Sequence, residues 1–354
     1  MNPANNPRSI LHALEPIGVG SPALESLMSY FCRLAVSHSV SLVSLAREVA
    51  SKLESELRDD FVWHERNLSG LGASALSWSG ALSALTSVER LDRLTLLTWQ
   101  DVLSAKGIAH RTPHWCPQCL AEDRGSGKSP YFRLLWDVAA VTACHEHRVE
   151  LRSACPHCGR SKTRHSAAYV VPGWCTHCGG FLGDINADQL VPASSDALWN
   201  SRQVGLLLEK QAALATPPGQ GRFREALREI ITQMDGGQGT RFARRIGLAK
   251  TTVHHWLKDD GIPTLHCALK IAAHTGLTLP DLLMGNLDGW SPPAPVAQMV
   301  LALNDSARQR RATPREHDWE DIRTKLVAFS RLPTPISVAE AARRLDLNSR
   351  HLYL

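Results

Sequence analysis

Apolar residues recur at intervals of three and four along much of this chain. From Leu24 to Ala35 they fall at Leu24, Leu27, Met28, Phe31 and Leu34/Ala35, which is the spacing of one buried helical face. Residues from about 22 to 103 read as several helices of this kind. Ser41 or Ser44, and later Ser77 or Ser87, stand where N-caps are expected, and Gly70, Gly72 and Gly80 where breaks are expected. Cys32 lies on the first helix away from any partner and reads as a core residue. Tyr131 to Val141 repeats the helical spacing and predicts a helix.

The second half is patterned more sharply. Between Thr240 and Leu257, Ala243, Gly247 and Val253 stand four and six residues apart, as two helices joined by a tight turn require. A small Ala lets the second helix approach, Gly accepts the left-handed turn, and Val fills the angle between the helices. Phe242, Ile246, Leu248, Trp256 and Leu257 complete an apolar interior, and Ile262–Ala273 and Gly276–Leu283 supply two further helices. About 50 residues here resemble a Cro/repressor-type helix-turn-helix domain. On that resemblance Lys250, Thr251, Thr252, His254 and His255 line the major-groove face of a recognition helix. Arg241, Arg244, Arg245 and Lys258 are placed for phosphates, and no acidic residue interrupts Thr240–Lys258. A helical hairpin that only packs is the plainer reading of the same pattern. A weaker copy follows at Ser337–Leu354, where Ser337 and Glu340 make a capping box and Asn348-Ser349-Arg350 would open a second recognition helix. The chain stops inside that helix, so a truncated chain and an incomplete motif both stay open.

Composition narrows the class only a little. The 354 residues are 44% hydrophobic and 21% charged, ordinary for globular domains. The formal net charge of +5 permits an anionic partner without demanding one. No secretory signal opens the chain, and no run approaches the roughly 18 apolar residues of a membrane span. A soluble, cytoplasmic protein is the expectation. Proline and glycine punctuate Ala215–Gly221, read as a loop or a linker, and Ser291–Pro295, read as a boundary before the basic patch Arg308, Arg310, Arg311 and Arg315.

Chemistry enters with the cysteines. Seven of the nine fall in four pairs of one spacing, the eighth ligand being a histidine: Cys116-x-x-Cys119, Cys144-x-x-His147, Cys155-x-x-Cys158 and Cys175-x-x-Cys178. Such knuckles converge their donors on one ion, and a tetrahedral Zn2+ needs two of them. The simplest pairing gives a set of three cysteines and one histidine (Cys116, Cys119, Cys144, His147) and a set of four cysteines (Cys155, Cys158, Cys175, Cys178), hence two structural zinc ions. Both sets are closed, so no position remains for water or substrate. His147 has the knuckle spacing that His145 lacks, and His114 and His165 are remoter substitutes. The fold class expected is mainly α and multidomain. A helical region spans 1–112, a double zinc module 113–191, a helical domain with the helix-turn-helix 192–290, and a C-terminal helical region 297–354.

One combination of motifs is more specific than its parts. Trp115-Cys116-Pro117-Gln118-Cys119, Tyr131-Phe132-Arg133-Leu134-Leu135-Trp136, Cys144-His145-Glu146-His147 leading to Leu151, and Cys155-Pro156-His157-Cys158-Gly159 resemble the TniQ/TnsD family. The opening helix, with Glu25-Ser26-Leu27-Met28-Ser29-Tyr30 and Arg33-Leu34-Ala35, is similar too. The resemblance spans roughly residues 15 to 185. It implies a non-catalytic selector of transposition targets that binds DNA or a guide-RNA complex and recruits an AAA+ ATPase and, through it, the transposase. The N-terminal helical region is the candidate ATPase contact, and a homodimer is left open. The main rival is a zinc-stabilised transcription regulator. A nuclease is disfavoured, because Asp59-Asp60, Asp259-Asp260 and Glu320-Asp321 are adjacent pairs that diverge, and no Walker loop offers ATP chemistry.

Overall fold

The computed structural model describes residues 9–54, 67–163, 168–258, 261–293, 318–331, 336–345 and 347. Two compact units divide the chain, Met1–Leu301 and Ala302–Leu354. The described residues are mainly helical, with thirteen α-helices and one two-stranded hairpin. None of these helices is long and apolar enough to cross a membrane.

The first unit opens with α1 (Leu27–Ser37), α2 (Leu42–Lys52) and α3 (Ala73–Thr86). Ser26 and Ser41 cap the first two, each hydroxyl accepting from the backbone N–H three residues on. Their apolar stripes bury Leu27, Phe31, Leu34, Leu42, Leu45 and Val49, and Cys32 is a core residue. Phe31 meets Trp78 of α3 edge to face, with ring centroids 5.3 Å apart. Here two expectations fail. Gly80 is inside α3, and the caps are Gly72 at the N-terminus and Ser87, with φ 56°, at the C-terminus. The apolar run from Ala75 to Leu85 outweighs one exposed helical glycine, which costs only about 1 kcal/mol.

Two 3-10 turns, Leu91–Leu94 and Leu97–Trp99, then bury Trp99 completely. Short elements follow: α4 (Pro117–Gly125), α5 (Leu134–Asp137), β1 (Ala143–Cys144) and β2 (Val149–Glu150). The strands are antiparallel, with Cys144 opposite Val149. The helix expected over Tyr131–Val141 is reduced to the single turn of α5, because long-range pairing claims the backbone on both sides. Ser26 N–H bonds Phe132 O at 3.0 Å and Leu134 N–H bonds Leu24 O at 2.7 Å. Farther on, His110 N–H bonds Asp137 O at 3.0 Å and Ala139 N–H bonds Ile108 O at 2.9 Å. The segment is stitched between α1 and the stretch before α4, and those bonds replace helical ones.

Six helices complete the unit: α6 (Ser195–Ala213), α7 (Gln220–Asp235), α8 (Gly239–Arg245), α9 (Lys250–Lys258), α10 (Leu265–Thr275) and α11 (Leu279–Met284). Gln211 of α6 reaches back to the N-terminal part. Its carbonyl accepts from Trp99 Nε1 at 3.0 Å, and its amide donates to Arg93 O at 2.7 Å and Thr95 O at 3.3 Å. Ser104 N–H bonds Pro263 O at 2.8 Å just before α10, and Leu279 N–H bonds Gln203 Oε1 at 2.8 Å. Buried apolar residues from Leu11 to Leu283 accordingly form one continuous cluster.

In the second unit, α12 (Trp319–Ser330) is capped by Asp318 and α13 (Val338–Arg344) by Ser337. Glu340 turns its carboxylate to Arg343 and Arg344 rather than back to the cap, so only half of the expected capping box is present. Glu320 and Asp321 occupy the first turn of α12, where the helix dipole favours them. The basic patch Arg308–Arg315, the residues Asn348–Arg350, His165, and the pairs Asp59-Asp60 and Asp259-Asp260 lie outside the described residues.

Candidate metal centres

The first centre is built from two elements that meet edge to end. Cys116 precedes α4, and Pro117 opens that helix, which puts Cys119 one turn inside it. Cys144 closes β1, and the hairpin turn, with Arg148 at φ 58°, brings His147 back beside it. His147 Nδ1 lies 3.5, 3.3 and 3.5 Å from the sulfurs of Cys116, Cys119 and Cys144, and Cys119 and Cys144 are 3.6 Å apart. Around a tetrahedral zinc, bond lengths of about 2.3 Å to sulfur and 2.05 Å to nitrogen give edges of about 3.8 Å and 3.6 Å. The four donors therefore fit one ion. His147 Nε2 faces Glu122 Oε1 at 2.8 Å, the carboxylate partner that orients many metal-bound imidazoles. His145 points elsewhere, with Nδ1 3.3 Å from Ser201 Oγ on α6.

The second centre repeats one turn twice. Gly159 N–H bonds Cys155 O at 2.9 Å and Gly179 N–H bonds Cys175 O at 2.8 Å. Both glycines have a left-handed backbone, with φ 71° and 70°. Cys155 and Cys178 are 3.7 Å apart, and Cys158 and Cys175 3.8 Å, again the edges of a tetrahedron. Cys155 and Cys175 are buried while Cys178 is exposed. The histidines inside the knuckles bind carbonyls: His157 Nε2 lies 3.0 Å from Phe181 O, and His177 Nε2 3.1 Å from Lys162 O.

Thiols packed this closely compete for ionisation. Hydrogen bonds from Cys116 and Cys119 hold Cys144 well below the usual thiol range. Burial pushes Cys155 up to about 12, and the backbone N–H of Arg160 draws Cys158 down to about 7. A divalent cation among the four sulfurs removes the conflict by favouring every thiolate at once. Among the described residues these two sets are the groups of three or more such side chains close enough to share an ion. All eight predicted ligands are thus brought together in their predicted sets, compatible with two zinc sites.

Trp115 joins the centres. It is fully buried, pairs its backbone with Arg152, and donates Nε1 to Leu182 O at 3.1 Å. Around the first centre lie two buried ion pairs that spacing alone did not reveal. Arg133 makes a two-pronged contact with Asp123 of α4, at 3.1 and 3.0 Å, and its guanidinium lies 4.5 Å from the Tyr131 ring and 4.7 Å from the Trp136 ring. Glu25, completely buried, holds Arg33 at 2.6 Å and accepts from Ser29 Oγ at 2.8 Å, and Ser29 Oγ in turn accepts from Phe132 N–H at 3.0 Å. This explains the Tyr-Phe-Arg-x-x-Trp run: Arg133 ties it to α4, and the Phe132 backbone ties it to α1.

Away from the metal sets, α8 and α9 are joined through Gly247 at φ 64°, with Leu248 N–H on Ala243 O at 2.8 Å. Phe242, Ala243, Ile246, Val253 and Trp256 are buried. Arg241, Arg244, Lys250, Thr251, His254, His255 and Lys258 are exposed, and Thr252 is half-buried. Arg245 differs: its guanidinium holds the buried Asp235 at the end of α7 at 2.8 Å. The ring of His255 lies directly against Gly261.

Residues 16–151 match the model of the TniQ family. The matched span runs through α1 to β2 and includes the whole first centre; the second centre and α6–α13 lie beyond it. No curated protein matches the chain.

Proposed function

We propose, on the premise that residues 16–151 form a TniQ domain, that this chain selects target sites for DNA transposition without performing chemistry itself. The TniQ domain is associated with target selection and is a non-catalytic adaptor, and that match is the observation that carries the reading. Both metal sets support it by being closed: zinc would hold Cys116, Cys119, Cys144 and His147 together, and likewise the four cysteines of the second set. Bound zinc would contribute folding free energy, and four protein donors at each set would leave no open coordination position.

In this reading α9 enters the major groove of target DNA, with Lys250, Thr251, Thr252 and His254 toward the bases and His255 at the edge of that face. Arg241, Arg244 and Lys258 contact phosphates, while Arg245, held by Asp235, sets the angle of α8. The N-terminal region 1–112 contacts an AAA+ ATPase, which brings the transposase. The continuous core between α1 and α11 supports a mechanical link between those two contacts.

The test is retention of a transposition-type AAA+ ATPase from the same genome on the immobilised full chain, with and without DNA. Retention supports target selection; no retention in either condition rejects it and leaves the transcription-regulator reading. Separately, Lys250→Ala with His254→Ala should weaken duplex binding about tenfold or more at fixed salt and leave zinc content unchanged. Unchanged affinity would remove α9 from the DNA contact.

A further inference from the structure

The second centre carries a surface that metal binding does not use. From Leu151 to Gly183 the chain has no Asp or Glu, yet it has Arg152, Arg160, Lys162 and Arg164. A zinc ion with four thiolates has a formal charge of about −2, which offsets only part of that excess. Arg160 and Lys162 are exposed. Arg160 Nη1 lies 2.7 Å from His177 Nδ1, and Thr176 donates its N–H and hydroxyl to Thr163 O at 3.2 and 2.9 Å. With the His177–Lys162 bond, these contacts hold residues 160–163 against residues 176–177.

Thr176 is also one wall of an open cleft of about 350 Å³, whose other walls are Tyr169, Val171, Trp174, Cys175 and Gly179. Tyr169 is 57% exposed and Val171 44% exposed. Trp174 is braced from behind by Phe181, with centroids 5.1 Å apart, and the Arg124 guanidinium lies 4.8 Å from the Phe181 ring. Single exposed apolar residues need no explanation. Here two aromatic rings stand in one cleft, and a cationic strip borders its wall.

We propose that this face binds a nucleic-acid strand, with Arg160 and Lys162 on phosphates and an unstacked base against Tyr169 and Trp174. Two observations favour a polyanion over a protein partner: an acid-free stretch of chain, and aromatic faces beside cations, the pairing by which single strands are held whatever their sequence. A braced Trp174 loses little freedom on binding. The surface goes beyond the α9 reading and does not depend on it. Phosphate with a stackable base is the shared chemistry of single-stranded DNA, RNA and a locally opened duplex.

Fluorescence anisotropy on the zinc-loaded full chain, with labelled oligothymidylate, oligouridylate and a mixed-sequence duplex over a salt series, tests it. Arg160→Ala with Lys162→Ala should weaken binding of the single strands and reduce the logarithmic salt slope by about 1.4, about 0.7 for each lost phosphate. Tyr169→Ala, which touches no ligand, should cost roughly tenfold in single-strand affinity with the slope unchanged. Lys250→Ala with His254→Ala should leave single-strand binding as it was, which separates this surface from α9. The proposal is overturned if the wild-type chain binds neither single strand at low salt, or if Tyr169→Ala binds both as the wild type does. Equal losses on duplex and single strand in Tyr169→Ala would overturn the base contact. Preference between the two single strands identifies the source.

Discussion

Asp123→Ala tests the packing of the first centre most directly. The Arg133–Asp123 pair is two-pronged, and its side chains are only 11% and 9% exposed. Removing one member of a buried pair leaves the other charge without compensation, a loss of about 3–5 kcal/mol. Two effects reduce it here. Some water still reaches the pair, and the Tyr131 and Trp136 rings keep holding the guanidinium, worth about 0.5–1 kcal/mol each. A net destabilisation of about 2–4 kcal/mol follows, or a fall of about 3–6 °C in melting temperature for a unit of this size. Arg133→Lys should fall less, since it keeps the charge but loses the planar fork. The assay is thermal unfolding of the zinc-loaded chain at one scan rate, with zinc counted in each variant. Neither residue is a ligand, so zinc content should not change. Melting of Asp123→Ala within about 1 °C of wild type, or strict additivity in the Asp123→Ala, Arg133→Ala double-mutant cycle, would refute the argument.

Three other variants probe other parts of the structure. Cys155→Ser removes a thiolate from the second closed set, so the chain should bind one zinc instead of two and aggregate from its middle; a soluble variant that still holds two ions would refute the ligand set. Gly80→Ala should raise stability by about 0.5–1 kcal/mol, because Gly80 is exposed inside α3 and a Cβ there meets nothing within 4 Å; a lower melting temperature would contradict that geometry. Gln211→Ala should cost about 2–4 kcal/mol by leaving Trp99 Nε1 and the Arg93 and Thr95 carbonyls without their partner, and an unchanged melting temperature would show that water replaces the amide.

The sequence by itself determined what depends on neighbours along the chain. A Cys-x-x-Cys knuckle closes through bonds within five residues, so the two donor sets were legible from spacing. The same holds for the Ser41 cap, the stripe of α1, and the turn at Gly247 with its buried Ala243 and Val253. The tertiary structure decided everything that hangs on a distant backbone or an opposite charge. Tyr131–Val141 has helical spacing but keeps only one helical turn, because residues 24–26 and 108–110 offer its backbone better partners. Nothing in the spacing of Asp123 and Arg133 announces their pairing, and Arg245 looks like its basic neighbours until Asp235 is seen to hold it. A polar residue does not encode its partner locally. Only the fold brings the two within a few ångströms, in surroundings dry enough for the contact to matter.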